Sequence, residues 1–222
     1  MIKAIIFDFD GTLVDTLDDL KDAINEALLI NGYKRQYTYE ETKSLIGMGT
    51  KVLCQRAVSY IEHTNEDVEK VFSDFSKTYR KIQCNKTHLF PYVQKTLDEL
   101  KTKGIKLAIL SNKVEENTLK IADNLFRKDT FDQIVGQRKE FPLKPDPTSL
   151  KYLISLLKVN DNEVLYIGDS DTDMKTADNL KLKKVAVTYG YRDQEVLKAY
   201  QPNYLIDDFS KLIDIINYEN KC

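Results

Sequence analysis

The chain is poor in cysteine, carries almost no net charge and lacks any long apolar run, and each shortage closes off a class of protein. Its 222 residues hold three cysteines, Cys54, Cys84 and Cys222, an odd set without metal-ligand spacing. A chain of this length buries enough core to stand without disulfides, so reduced thiols are expected. Net charge is −2 with the basic residues scattered, which argues against a general nucleic-acid binder. The short Lys181-Leu182-Lys183-Lys184 cluster reads as a solvated turn. No apolar stretch approaches the roughly 20 residues of a membrane-spanning helix, and Met1 leads directly into a strand pattern with no charged leader. A cytoplasmic protein is expected, a monomer or homodimer with no membrane or nucleic-acid partner. There is no internal repeat and no low-complexity tract.

Between Thr16 and Cys84 proline is absent and glycine falls only at Gly32, Gly47 and Gly49, leaving the helical segments nearly free of both. Leu17, Leu20, Ile24, Ala27 and Leu28 fall at three- and four-residue steps and predict an amphipathic helix ending near Asn31-Gly32. Thr38 followed by Glu41 is a capping-box signature for a second, short helix. Val52 to Ile61 and Val68 to Ile82 supply two more. Outside this stretch short apolar strands alternate with helices, which indicates a doubly wound, mostly parallel α/β sheet. The expected organisation is a core of residues 1–15 and 85–222 with a four-helix insertion over 16–84. Leu13 to Thr16 and Asn85 to Phe90 are the expected hinges.

The chemistry concentrates at strand ends. Ala4-Ile5-Ile6-Phe7 reads as a buried central strand, and it runs into Asp8-Phe9-Asp10-Gly11-Thr12. Residues two apart on an extended chain point the same way. If the strand geometry persists, both carboxylates face one crevice, and clustered anions need a cation or a proton between them; Gly11 permits a sharp turn. Asp after a strand also serves as a turn or helix cap. Ser111-Asn112-Lys113 follows the strand Ile105 to Leu110, as an anion cradle or as a helix cap. Lys144 lies in Phe141-Pro142-Leu143-Lys144-Pro145-Asp146-Pro147, where proline stiffens the backbone. It is either a rigidly presented ammonium or a surface lysine. Ile167-Gly168-Asp169-Ser170-Asp171-Thr172-Asp173 ends another buried strand in acids, which also suit a helix N-terminus.

These four segments, in this order, resemble the four motifs of the haloacid dehalogenase-like hydrolase superfamily, in the branch similar to phosphoglycolate phosphatases. The resemblance spans almost the whole chain. It implies a Rossmann-like core, a helical cap inserted after the first motif, and Mg²⁺-dependent phosphoryl transfer through an aspartyl phosphate. On the matching positions it implies Asp8 as nucleophile and Asp10 as general acid and base. Mg²⁺ would be held by Asp8, the Asp10 carbonyl and Asp169, with Asp173 nearby or acting through water. Ser111, the Asn112 amide and Lys144 would stabilise phosphoryl oxygens, with Gly11 at the phosphate loop. Charge agrees with a cation: residues 1–30 hold seven acids against two bases, and residues 161–178 six against one. Hard oxygen donors of this kind suit magnesium.

The implied substrate is a small phosphorylated metabolite, 2-phosphoglycolate first and pyrophosphate or another small ester next. Leu45-Ile46-Gly47-Met48-Gly49-Thr50 resembles the specificity loop of the same branch, with Gly47 and Gly49 allowing close backbone approach. Arg56 is a candidate partner for a substrate carboxylate, or an exposed helix arginine. A β-phosphoglucomutase-like enzyme would carry histidine twelve residues after the nucleophile, where this chain has Leu20. A receiver-type phospho-acceptor domain would leave no place for the helical insertion.

Overall fold

Ala4-Ile5-Ile6-Phe7 is wholly buried and forms the centre of the sheet in the computed structural model, which describes residues 1–221. This strand, β1 (Ala4–Phe7), is followed by a two-residue β2 (Val14–Asp15). Four helices come next: α1 (Leu17–Ile30), α2 (Tyr39–Lys43), α3 (Thr50–Val58) and α4 (Asn65–Ile82). A short β3 (His88–Leu89) then leads into α5 (Val93–Thr102), β4 (Lys106–Val114), α6 (Glu115–Leu125), β5 (Gln133–Gln137) and α7 (Thr148–Leu157). The chain ends through β6 (Val164–Gly168), α8 (Asp171–Asp178), β7 (Lys183–Val187), α9 (Gln194–Lys198), β8 (Tyr204–Ile206) and α10 (Leu212–Glu219).

Six strands make one sheet in the order β5-β4-β1-β6-β7-β8, and β2 pairs with β3 separately. All pairings in the large sheet are parallel, with Ile6 opposite Ala108 on one side and Tyr166 on the other. After β1 the chain builds outward through β4 and β5, then returns to β6 on the opposite edge of β1. β1 is therefore the topological switch point, and the crevice expected in such sheets opens beyond the carboxyl ends of β4, β1 and β6. Helices cover both faces. Ala4 and Ile6 pack with Leu150, Leu153, Ile154 and Leu157 of α7, while Phe7 on the other face meets Phe209 at 5.8 Å between ring centroids. Burial on both faces is why β1 is a continuous apolar run rather than an alternating one.

The chain divides into two compact units, one of Met1–Asp15 with Leu89 onward and the other Thr16–His88. The second unit is the four-helix segment, with its own core. Leu20, Ile24, Ala27 and Leu28 of α1 are buried with Val71, Phe75 and Tyr79 of α4. The capping box of Thr38 and Glu41 is formed, and Thr64 with Asp67 makes a second one at the start of α4. This unit extends past residue 84 because Asp19, 1% exposed, accepts hydrogen bonds from the Lys86 and Thr87 amides and the Thr87 hydroxyl at 2.7–3.1 Å. A buried carboxylate so satisfied ties that backbone to α1. The Lys181–Lys184 cluster is not simply a solvated turn: Leu182 is buried and Lys183 opens β7. No helix among the described residues is long and apolar enough to cross a membrane.

Candidate active site

β1 stops at Phe7, so Asp8 and Asp10 stand on a turn rather than on continued strand. The Asp8 amide still donates to the Ile167 carbonyl at 2.8 Å, and the amides of Leu13 and Val14 then fold back onto the Phe9 carbonyl. Gly11 makes this turn possible with φ of +87°, a conformation that side chains disfavour. The two carboxylates have different cations. Asp8 Oδ1 accepts from Lys144 Nζ at 2.8 Å, whereas Asp10 Oδ1 lies 3.1 Å from Lys113 Nζ.

Lys144 is a rigidly presented ammonium, 3% exposed. Its Nζ donates to Asp8 Oδ1 and Asp173 Oδ1, both at 2.8 Å, with the Leu110 carbonyl at 3.0 Å and the Tyr166 hydroxyl at 3.2 Å. Burial by itself would lower its pKa, but Asp173 and Asp8 outweigh that and hold it well above the ordinary lysine value. Its backbone is clamped by Asn112, whose Oδ1 accepts from the Lys144 amide at 2.8 Å and whose Nδ2 donates to the Lys144 carbonyl at 3.1 Å. The Asn112 side chain is thus spent on Lys144.

β4 does not end at Leu110 as its apolar run suggests. It continues to Val114, and its register against β5 shifts between Leu110 and Val114. An irregularity of this kind re-aims side chains at a sheet rim, and it carries Ser111, Asn112 and Lys113, all nearly buried. Ser111 is not a helix cap, because Val114 occupies that position for α6. Its Oγ instead accepts from the Lys113 amide at 3.1 Å.

The end of β6 supplies the remaining acids. Asp169 is held through Oδ1 by the Thr12 hydroxyl at 3.0 Å and through Oδ2 by the Tyr191 amide at 2.8 Å. Asp173 Oδ1 accepts from Lys144 and from the Tyr166 hydroxyl at 3.1 Å, while Oδ2 accepts from the Ser170 amide and hydroxyl at 3.1 and 2.5 Å. Ser170 and Asp173 also form the capping box of α8, so the acidic loop is helix terminus and site wall together.

Asp8, Asp169 and Asp173 each offer a carboxylate oxygen within 4.8 Å of the others. Crowding shows in the protonation of Asp169 and Asp8. Burial, then Asp173, push Asp169 up to about 7; burial, then Asp173, drive Asp8 well above the carboxylate range despite the opposing pull of Lys144. Two carboxyls raised in this way beside a third, all with hard oxygen donors, fit a divalent cation such as Mg²⁺.

The cap residues named from sequence belong to the four-helix unit. Gly47 and Gly49 take φ of +118° and +82°, the region where glycine is needed, and Gly49 directly precedes α3. Arg56 turns back on this loop: its Nη1 donates to the carbonyls of Ser44, Leu45 and Ile46 at 3.1–3.3 Å. The structure gives it a loop-supporting contact set in place of the plain exposed arginine.

Several site residues carry no assignment from sequence alone. Tyr166 and Lys113 touch the motif side chains directly. Tyr189, Gly190 and Tyr191 follow β7 and clamp the first motif: the Tyr189 hydroxyl donates to the Thr12 carbonyl at 2.9 Å, and the Tyr191 hydroxyl to Asp15 at 3.1 Å. A Cβ on Gly190 would lie 2.3 Å from the Asp169 Cβ and 2.5 Å from the Gly11 carbonyl oxygen. A glycine between tyrosines just past a strand is the signal that could have found this clamp.

Comparison with known proteins agrees with this geometry. The sequence pattern of the haloacid dehalogenase-like hydrolase family matches residues 5–187. The phosphoglycolate phosphatase of Psychrobacter arcticus is 33% identical over 220 residues, covering 96% of this chain and 95% of that protein. That of Haemophilus influenzae is 31% identical, covering 96% and 98%. The crystal structure of a predicted phosphoglycolate phosphatase from Haemophilus somnus superposes with a TM-score of 0.91 at 31% identity, covering 97% of this chain and 98% of the other. The sheet order, the four motif loops at its carboxyl edge and a match over most of its length make this chain a member of the haloacid dehalogenase-like hydrolase family.

Proposed function

We propose that this protein is a Mg²⁺-dependent phosphatase that hydrolyses a small phosphate monoester, 2-phosphoglycolate foremost, through a covalent phosphate on Asp8. The observation that carries the reading is the division of labour between the two acids of one turn. Asp8 sits with Lys144 and the acid cluster, whereas Asp10 stands apart with Lys113. An attacking carboxylate and a proton-transferring carboxylate need different surroundings.

Asp8 attacks phosphorus as nucleophile. Lys144, which already touches the Asp8 carboxylate, is placed to take up charge on a phosphoryl oxygen beside it, and the Ser111 hydroxyl lies on the same rim. Asp10 protonates the departing oxygen, then removes a proton from the water that cleaves the aspartyl phosphate. Asp8, the Asp10 carbonyl and Asp169 would hold Mg²⁺. Asp173, whose oxygens already accept from four protein donors, would act nearby or through water. When bound, the ion supplies positive charge that keeps the acids ionised and offsets the phosphate's repulsion. Asp173 and Tyr166 keep Lys144 aimed at the nucleophile.

The names of the relatives and the spread of similarity over the whole chain support phosphoglycolate as substrate. Leu20, where a mutase-like enzyme would have histidine, is an apolar member of the cap core, which favours water over a second sugar phosphate as acceptor. The test is phosphate release with and without Mg²⁺ from 2-phosphoglycolate, pyrophosphate, sugar phosphates and nucleotides, with Asp8→Asn as the blank. Mg²⁺-dependent preference for phosphoglycolate is expected. Preference for pyrophosphate would replace the substrate and keep the chemistry, and release undiminished in Asp8→Asn would overturn the mechanism.

A further inference from the structure

We propose that the cleft beside Lys184, between the end of α8 and the end of α9, is a second binding site, and that it takes a small organic phosphate bearing hydroxyl groups. It lies at the amino end of β7, whereas the motif loops and Tyr191 stand at the carboxyl edge of the sheet. The proposal does not depend on what the active site hydrolyses.

The cleft has a volume of about 510 Å³ and is lined by Asp178, Lys181, Lys184, Tyr200, Gln201 and Asn203, with Leu182 beneath them. Lys184 is the residue that the fold leaves unexplained. It stands opposite Tyr166 near the start of β7, and Ala186, two residues on and so on the same face, packs with Met174 and Leu197. An apolar side chain at 184 would continue that cluster. The lysine is instead buried, its side chain 7% exposed, against Asp178, whose own side chain is 51% exposed. A lysine that merely snorkelled would keep its head in water, and a buried ion pair returns little stability after desolvation. An ammonium has three hydrogens to donate, and among the described residues Asp178 Oδ1 is the one acceptor it meets. Two donors of a nearly buried ammonium are left for whatever fills the cleft.

The groups around it are donors too. Asn203 Oδ1 accepts from the Lys184 amide at 2.9 Å, which leaves its Nδ2 to donate. Among the described residues Lys181 Nζ and the Gln201 side chain have no partner. Lys181 and Gln201 also hold left-handed backbones, with φ of +53° and +45°, and residues so strained gather at ligand sites. Two lysines against one aspartate give the cleft net positive charge, which with amide donors beside it suits a phosphate. Asp178 and the Gln201 carbonyl oxygen accept from hydroxyls. The volume falls within the roughly 300–1,000 Å³ of small-molecule pockets, more than a bare oxyanion fills.

The experiment follows backbone amide shifts by NMR in the isotope-labelled full chain, without Mg²⁺. The probes are dihydroxybutylphosphonate, the carbon-linked analogue of glycerol 3-phosphate that has no ester bond to hydrolyse, and inorganic sulfate as the bare oxyanion. Saturable shifts are expected at Lys181 to Lys184, Gln201 and Asn203, with the phosphonate at least fivefold tighter than sulfate. Lys184→Met and Lys181→Asn should each weaken the phosphonate about tenfold, the loss of one hydrogen bond from a charged donor. Asparagine tolerates the left-handed backbone, so Lys181→Asn carries the test if thermal unfolding shows that Lys184→Met does not fold. Absence of saturable shifts in the cleft, shifts confined to active-site amides such as Gly11 and Ser111, or an affinity untouched in a folded lysine variant would each overturn the proposal. Sulfate binding as tightly as the phosphonate would overturn it as well. No readout involves turnover, so failure of the phosphatase reading leaves the outcome here unaffected.

Discussion

Tyr166 donates its hydroxyl hydrogen to Asp173 Oδ1 across 3.1 Å, while its phenolic oxygen accepts from Lys144 Nζ at 3.2 Å. Burial, together with the two nearby acids, pushes the phenol well above its ordinary pKa, so it keeps its proton and remains a donor. Tyr166→Phe removes one bond from each partner without changing the ring that fills the sheet. A fall in kcat of about tenfold, equivalent to ~1.4 kcal/mol, is expected, with Mg²⁺ affinity nearly unchanged. Unaltered kcat would show that Lys144 needs no such support.

Gly190 is required for space rather than for backbone freedom. Its missing side chain admits the Asp169 Cβ and the Gly11 carbonyl, a backbone atom that cannot swing aside. Gly190→Ala forces these groups apart and is expected to cost about 1–3 kcal/mol of stability, with weaker Mg²⁺ affinity because Asp169 moves. Calorimetric unfolding and Mg²⁺ titration of activity measure both. A variant with wild-type values on each would mean that the clamp yields freely.

The acid cluster predicts a pH dependence with a definite sign. Burial, followed by the Asp173 charge, raises Asp169 from 3.8 to about 7 in the folded, metal-free protein. The raised folded value means that the protonated acid contributes stability fully present below about pH 4, the unfolded value, and lost as pH rises through about 7. A divalent cation takes over the proton's role. The rise in Tm on adding saturating MgCl₂ should therefore be small near about pH 5 and largest near about pH 8. Comparing the increment, not Tm itself, cancels the titration of surface carboxylates. An increment that shrinks with rising pH would contradict the assignment.

Arg56 supports a loop. Arg56→Ala leaves the carbonyls of Ser44, Leu45 and Ile46 without a shared donor, and a loss of about 1–2 kcal/mol is expected for a partly solvated charged donor. The ratio of kcat/KM for phosphoglycolate to that for ethyl phosphate should stay within about twofold, since each tenfold in that ratio needs a lost interaction of ~1.4 kcal/mol. Collapse of that ratio with unchanged stability would make Arg56 a carboxylate ligand.

The chain's local order is legible in its sequence. Buried parallel strands read as apolar runs, α1 as three- and four-residue steps, and α2 as a capping box, because these signals depend on neighbours in sequence. The four motif loops are legible for the same reason: each places its chemistry within a few residues of a strand end. Other features depend on packing between distant segments. Ser111, Asn112 and Lys113 prolong β4 because pairing with β5 continues past a register shift that the apolar run does not announce. Asp19, an ordinary acid on a helix by its sequence, is buried where the chain at Lys86 and Thr87 returns to α1.

Sequence by itself determined which residue types meet at the carboxyl edge of the sheet and in what order the chain delivers them. Tertiary structure decided who pairs with whom. Asp8 takes Lys144, 136 residues away; Asp10 takes Lys113; Tyr166 reaches Asp173; Gly190 yields its space to Asp169. Hydrogen bonds and ion pairs act over about 3 Å, a range within which residues far apart in sequence come together only when β4, β1, β6 and β7 are laid side by side.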